Sequence, residues 1–240
     1  MNVLVVGNGH MGTVVYKELI ERGDSVTIVP DLNRPSTEGL PNEGNFDILI
    51  DFSHPDGIES IATFSRAFKI PAVIATTGYT DKQLELINDL GKEVPVLCSG
   101  NYSLGVILME RLVREAVKVL GSDFDIEIIE KHHHHKIDAP SGTAKMLLKA
   151  ANEQLDYNVI YGREGFCKRE EKEIAVHTIR GGSIVGEHEI LFAGADEILS
   201  IKHEALSKSI FAKGAIKGGE WLIQKEVGLY NMKDVLFGSS

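Results

Sequence analysis

The opening of the chain leaves few folds open to it. Asn2 to Val6 is a short apolar run with three valines that stops at Gly7. A run without alternation, ending in glycine, reads as a parallel strand buried on both faces. Gly7-Asn8-Gly9-His10-Met11-Gly12 follows, and Met11 to Arg22 then carries Val14, Val15, Leu19 and Ile20 on one helical face. Gly23 ends that helix, where a left-handed residue comes cheaply only as glycine. Ser25 to Pro30 is a second strand, closed by Asp31. Strand, helix and strand in this order demand a crossover between parallel strands. The glycines fit one chemistry well. Gly7 permits the tight turn, Gly9 lets backbone approach a pyrophosphate, and Gly12 lets the helix pack close to the strand. The helix start offers free N–H groups and partial positive charge to phosphates. An acidic residue at Asp31 suits the adenosine ribose hydroxyls. It leans the cofactor toward NADH, because a 2′-phosphate would face its charge. Arg34 offsets this in part, so NADH and NADPH are both kept.

The rhythm continues. Residues 32–46 are rich in Asn, Pro, Gly and Glu and read as a loop. Phe46 to Phe52, Ala72 to Ala75 and Val94 to Cys98 read as strands, alternating with helices at His54 to Phe68 and Asp81 to Leu90. That alternation predicts an α/β, Rossmann-type dinucleotide-binding domain with helices on both faces of a parallel sheet. After about residue 103 the pattern changes. Leu104 to Leu120 and Gly142 to Gln154 read as helices, among strand-like runs at Phe124 to Glu130, Glu173 to Arg180, His188 to Phe192 and Glu197 to His203. These predict a second, α+β domain with a largely antiparallel or mixed sheet. Ile210 to Lys225 is a final helix. A length of 240 residues suits one large domain or two modest ones.

Bulk charge narrows the partners. With 25 basic against 35 acidic residues the net charge is −10, a poor match for nucleic acid or anionic membrane surfaces. No stretch approaches the roughly 20 apolar residues of a membrane helix, and the N-terminus carries no basic leader. Cys98 and Cys167 stand far apart, with no disulfide framework or Cys-x-x-Cys spacing. The expectation is a cytoplasmic protein with free thiols.

The basic site of this acidic chain lies in Glu130-Lys131-His132-His133-His134-His135-Lys136-Ile137-Asp138-Ala139-Pro140-Ser141-Gly142-Thr143-Ala144. A strand delivers imidazoles and a lysine, and a helix begins at Ser141-Gly142-Thr143. Free N–H groups, two hydroxyls and nearby cations make a carboxylate pocket. Histidine relays protons at neutral pH, and lysine donates a proton or holds an anion. The alternatives are blander. Four histidines in a row suggest a metal tract, but strand neighbours point to opposite faces, so at most two share a side. Glu187-His188-Glu189 is the other candidate, and no metal is expected. A solvated polar loop is the stronger competitor. His134 and His135 are expected to be support or surface.

At these residues the sequence resembles the dihydrodipicolinate reductase family, whose signature Glu-x-His-His-x-x-Lys-x-Asp-x-Pro-Ser-Gly-Thr-Ala is matched at every fixed position by residues 130–144. Asp51-Phe52-Ser53, Thr76-Thr77-Gly78, Asn101-Tyr102-Ser103-Leu104-Gly105, Arg180-Gly181-Gly182 and Gly186-Glu187-His188 resemble further family segments. The resemblance implies a Rossmann domain over 1–103 and 209–240 and a substrate-binding and oligomerisation domain over 104–208, assembled as a homotetramer. It implies reduction of the cyclic dicarboxylate 4-hydroxy-tetrahydrodipicolinate to tetrahydrodipicolinate by NADH or NADPH, in lysine and diaminopimelate biosynthesis. His132 would be the main acid/base and Lys136 the proton donor. His133, Ser141, Gly142 and Thr143 would hold the substrate carboxylates. Gly7, Gly9, His10 and Met11, with Asn8 among them, would line the pyrophosphate, and Asp31 would take the ribose. Ala75, Thr76 and Thr77, with Ser99, Gly100, Asn101 and Tyr102, would bracket the nicotinamide. Domain closure would bring hydride and ring together. Ala75 stands where the family usually has glycine, and His10 where an arginine often stands. Both departures concern the cofactor, and a neutral His10 again favours NADH. Two other readings share the glycine turn: another two-domain amino-acid or imine dehydrogenase, such as an aspartate dehydrogenase, and a non-catalytic NADH-binding regulator. Neither needs the Lys136-to-Thr143 stretch. The role of Arg180 is open between binding a carboxylate and pairing within the sheet.

Overall fold

The computed structural model describes residues 1–30, 40–42 and 45–238. The chain divides into two compact units, Met1–Leu104 with Lys208–Ser240, and Gly105–Ser207. Asp31 and Arg34 lie outside the described residues.

The first unit is built on β1 (Asn2–Val6), β2 (Ser25–Val29), β3 (Ile48–Asp51), β4 (Ala72–Ile74), β5 (Pro95–Cys98) and β11 (Gly228–Tyr230). They form one sheet in the order β11-β5-β4-β3-β1-β2, parallel throughout. Successive side chains of β1 serve opposite faces, and Val3 to Val6 are all fully buried. Leu4 and Val6 join Ile58, Ile61 and Phe64 of α2 (Ile58–Phe68) and Ile87 and Leu90 of α3 (Asp81–Leu90). On the opposite face, α1 (His10–Glu21) packs beside α6 (Ser209–Leu222). Glycines let α6 lie flat on the sheet. A Cβ at Gly218 would come within 2.4 Å of Leu97, and one at Gly219 within 2.9 Å of Ile48. Helix α1 buries Gly12, Val15 and Leu19, whereas Ile20 is 47% exposed. The expected four-residue apolar stripe is therefore narrower, because Ile20 lies past its edge. The helix expected from His54 begins instead as a short 3-10 turn at Pro55–Gly57, with Pro55 in the first turn where its missing N–H costs nothing. Strand β11 and α7 (Met232–Phe237) were not legible beforehand. Three strand residues carry no period, and α7 has six.

The second unit carries α4 (Leu104–Leu120, all but its first residue) and α5 (Gly142–Asn152) on one face of a five-stranded sheet. The strands are β6 (Asp125–His132), β7 (Asn158–Tyr161), β8 (Glu173–Arg180), β9 (Gly186–Ala193) and β10 (Ile198–Ala205), ordered β10-β9-β6-β8-β7. β9 runs antiparallel to β6 and β10, while β8 runs parallel to β6 and β7, so the sheet is mixed. Alternation sets its faces. Ile126, Ile128, Ile174, Val176, Ile190 and Phe192 turn toward the helices and form the core with Val113 and Leu147. The same parity carries Glu130, His132 and His188 to that side at the far end of the strands, where all three are buried. Among the described residues no helix is long and apolar enough to cross a membrane.

Candidate active site

In the first unit the carboxyl ends of the parallel strands carry the predicted cofactor residues. The chain steps from β1 to β2 on one side and to β3 on the other, and ligands of doubly wound sheets bind outside the strand ends at such a reversal. Gly7 has φ +103°, a conformation open to glycine and strained for other residues. A Cβ at Gly12 would lie 1.8 Å from the Gly7 carbonyl oxygen, so helix and turn meet with no room for a side chain. Gly9 is the N-cap of α1 and supplies no capping side chain. Asn8, Gly9 and His10 are exposed beside it, and Met11 is half-buried. A bare helix start reached by a glycine turn fits a pyrophosphate.

Ala75, Thr76 and Thr77 follow β4, and Ser99 to Tyr102 follow β5. The second group is wound on itself. The Ser99 hydroxyl donates to the Asn101 carbonyl at 3.0 Å, and Asn101 Oδ1 accepts the Ser103 N–H at 2.8 Å. Tyr102 is 3% exposed, and its hydroxyl donates to the Ile74 carbonyl at 2.8 Å, with that of Leu97 at 3.0 Å. Its ring thus locks β4 to β5, and its carbonyl oxygen packs against α6, where a Cβ at Gly214 would lie 1.7 Å from it.

Sequence reasoning gave Asp51 no role, yet it organises this strand edge. It is fully buried, and its Oδ1 accepts the Ser53 N–H at 3.0 Å and the Ser53 hydroxyl at 2.5 Å. Tyr79 approaches Oδ2 at 3.3 Å, and Thr76 Oγ1 accepts the Ser53 N–H at 2.9 Å. Burial pushes the Asp51 carboxyl up, and hydrogen bonds from Ser53, Thr76 and Tyr79 offset this only in part. Burial also raises the neighbouring Cys98 thiol to about 11, so it rests uncharged.

In the second unit the signature residues converge where β6 runs into α5. His132 is the last residue of β6 and is 8% exposed. The expectation that a strand delivers all the histidines is corrected here. The strand ends at His132, and His133 to His135 lie on the following turn, so the two-faced alternation does not govern them. His134 and His135 are exposed, as expected of surface residues, and His133 is half-buried. Lys136 Nζ donates to Asp138 Oδ1 at 2.7 Å. That bond holds the Asp138 carboxyl below its ordinary range.

The hub is Glu130, two residues before His132 on the same strand face and wholly buried. Oε2 meets His132 Nδ1 at 2.6 Å and Arg180 Nη1 at 2.8 Å. Oε1 accepts from Arg180 Nη2 at 2.9 Å, the Ser141 N–H at 3.0 Å and the Thr178 hydroxyl at 3.3 Å. Burial pushes this carboxyl up, but the bonds from Arg180, His132 and Ser141 outweigh it and hold it below the usual range. Arg180 thus pairs within the sheet through Glu130, and it also donates to the Asp138 carbonyl at 2.6 Å. Burial lowers His132, with Glu130 pulling the other way.

Ser141, expected to hold substrate, is 2% exposed and already engaged. Its oxygen accepts the Ala144 N–H at 3.1 Å as the cap of α5, and lies 2.8 Å from His188 Nε2. Burial, then His132, lowers His188 to about 4. The Ser141 hydroxyl thus caps α5 and pairs with a neutral imidazole at the start of the helix. Gly142, exposed, opens α5 onto free space, with nothing within 4 Å of where a Cβ would stand. Glu130, Arg180 and His188 are thus site residues without an assigned role in the sequence reading. For Glu130 the signal was its spacing of two from His132. For His188 and Arg180 the signal was the family-like segments at 180–182 and 186–188, and cross-strand register gave their partners.

Known proteins match along nearly the whole chain. The family model described as dihydrodipicolinate reductase, N-terminus, matches residues 1–102, and the one described as dihydrodipicolinate reductase, C-terminus, matches residues 105–236. The 4-hydroxy-tetrahydrodipicolinate reductase of Exiguobacterium sibiricum is 43% identical over 241 residues, covering 97% of this chain and 95% of the relative. That of Clostridium novyi is 40% identical over 240 residues, covering 95% of each. A dipicolinate-bound dihydrodipicolinate reductase from Paenisporosarcina sp. TG-14 shares the fold with a TM-score of 0.76 at 21% identity, covering 96% of this chain and 97% of that one. With both halves matched in order and relatives of this identity spanning the full length, the chain belongs to the dihydrodipicolinate reductase family.

Proposed function

We propose that the chain reduces 4-hydroxy-tetrahydrodipicolinate to tetrahydrodipicolinate with NADH or NADPH, as a cytoplasmic enzyme of lysine and diaminopimelate biosynthesis. The observation that carries this is the end of β6. There a buried Glu130 holds His132 beside the turn bearing Lys136, next to the open start of α5. The family relatives of the same name support it.

The residues divide the work by chemistry. The glycine turn of residues 7–12 would hold the cofactor pyrophosphate by backbone N–H groups, with Asp31 on the ribose. Residues 75–77 and 99–102 would bracket the nicotinamide, with Asp51 keeping Thr76 and Ser53 in place. When bound, the reduced nicotinamide supplies the hydride. The start of α5, with Ser141, Gly142 and Thr143, and the His133 ring would bind the substrate carboxylates, where helix N–H groups favour negative charge. Lys136 would hand a proton to the substrate, and His132 would serve as the acid/base partner. Residues 1–103 with 209–240 act in this reading as the dinucleotide domain, and 104–208 as the substrate and oligomerisation domain. Assembly as a homotetramer, through the second domain, belongs to the same reading.

The test follows NADH and then NADPH absorbance with substrate made in situ by the upstream synthase. Substrate-dependent oxidation is expected. Lys136→Ala should lower kcat by roughly 10²-fold or more while NADH still binds. A folded parent that binds NADH without substrate-dependent oxidation would overturn the reading in favour of a nucleotide-binding regulator.

A further inference from the structure

A buried carboxylate beside an imidazole can act in two ways. Unpaired, it draws the ring toward imidazolium. Already neutralised, it only orients the ring. Here Arg180 decides between them. Its two terminal nitrogens fork onto the two Glu130 oxygens at 2.8 and 2.9 Å. The Ser141 N–H and the guanidinium can only donate, so Glu130 must accept, and a carboxylate does this best. The 2.6 Å contact to His132 then requires the hydrogen on Nδ1. Nε2 is left bare, on the side where a Cβ built on Gly186 would lie 3.1 Å away.

We infer that Glu130 is the positioning residue of this site: clamped by Arg180, it fixes His132 as the Nδ1–H tautomer and makes Nε2 the working nitrogen of the ring. This rests on the reductase reading for its catalytic meaning, not for its geometry. The groups around His132 agree. Glu130 lies on its own strand, Arg180 is its register partner on β8, and the His188 ring stands edge-on from β9 with centroids 5.2 Å apart. Lys136 and Asp138 pair on the turn that follows. His203 lies beyond His188, its register partner on β10. Among the described residues the carboxylate that touches the ring is shared with Arg180, and burial outweighs its pull on the imidazole. A ring with bare Nε2 accepts a proton or a hydrogen bond before it can give one, and that leaves Lys136 as the group that starts with a proton to hand over.

The experiment is 15N NMR of the histidine-labelled full chain at pH 7.5, with His132 assigned through His132→Gln. The expected result is a protonated Nδ1 and an unprotonated Nε2 in the parent. Glu130→Gln, which can donate as well as accept, should populate the other tautomer. Its kcat should fall by roughly 10²-fold with NADH affinity unchanged. Arg180→Met, which frees the carboxylate, should keep Nδ1–H but make the ring titrate at higher pH. A parent ring protonated on Nε2, or a Glu130→Gln spectrum identical to the parent, would overturn the assignment, and the parent spectrum alone suffices if a variant does not fold. The expected tautomer in a chain with no substrate-dependent NADH oxidation would uphold the positioning and sink the reductase reading, so the two fail separately.

Discussion

Asp51 and Glu130 are both wholly buried, yet their neighbours send them in opposite directions. Glu130 meets a guanidinium, whereas Asp51 meets only neutral donors, and desolvation then favours the protonated form. With its folded pKa raised, Asp51 keeps a proton that the unfolded carboxyl releases above its ordinary value of 3.8. The native state therefore loses stability as pH rises from there until the folded pKa is passed. Asparagine has no such loss. Asp51→Asn should be more stable than the parent at pH 7 in urea unfolding, and the advantage should shrink toward pH 4. An advantage that does not change with pH would show that Asp51 is ionised in the fold.

At the scale of the element, two helix starts carry the site, and each depends on one residue for a different reason. α5 depends on Ser141. Ser141→Ala removes the cap on the Ala144 N–H and strips His188 Nε2 of its partner. The cap is worth about 1 kcal/mol and the orphaned buried imidazole about 1–3 kcal/mol more, a loss of roughly 2–4 kcal/mol by urea denaturation. α1 depends on the lack of a side chain at Gly12. Gly12→Ala would force the turn away from the helix, because its Cβ would sit 1.8 Å from Gly7 oxygen, and NADH binding should be lost by calorimetry. Gly23 closes the same helix at φ +84° with nothing within 4 Å, so Gly23→Ala should cost only about 1 kcal/mol and leave NADH affinity intact.

For the whole molecule, the shifts add up to sensitivity toward acid. His188 has its folded value lowered to about 4 from 6.5. The unfolded chain binds that proton first, so stability falls as pH drops from 6.5 to about 4. Glu127, Glu130, Asp138 and Glu187 have depressed folded values, so their contribution, complete above the ordinary carboxylate range, is lost as pH falls through those values. The urea midpoint should decline steadily below pH 6.5. His188→Gln should flatten the first part of that decline. Asp51 works against the trend, so Asp51→Asn should steepen it. A parent midpoint unchanged between pH 6.5 and 4.5 would contradict the buried neutral state of His188.

What the sequence determined by itself was local. The uniform apolar run of β1, the glycine turn, the caps at Gly23 and Ser141 and the period of α4 are set by a few neighbouring residues, and each is readable where it stands. The glycine turn and the signature stretch from 130 to 144 were legible for the same reason. Tertiary structure decided what required distant strands to lie in register. Arg180 reaches Glu130 across 50 positions, and Ser141 reaches His188 across 47. Neither pair has a local signal, because a strand's neighbours are chosen by burial of the whole sheet rather than by its own residues. The three-residue β11 is a strand only because β5 offers it backbone partners. The charge state of the site is decided in the same way. Asp51 and Glu130 are ordinary carboxyls in the sequence, and only the fold buries both and gives Glu130 alone a cation.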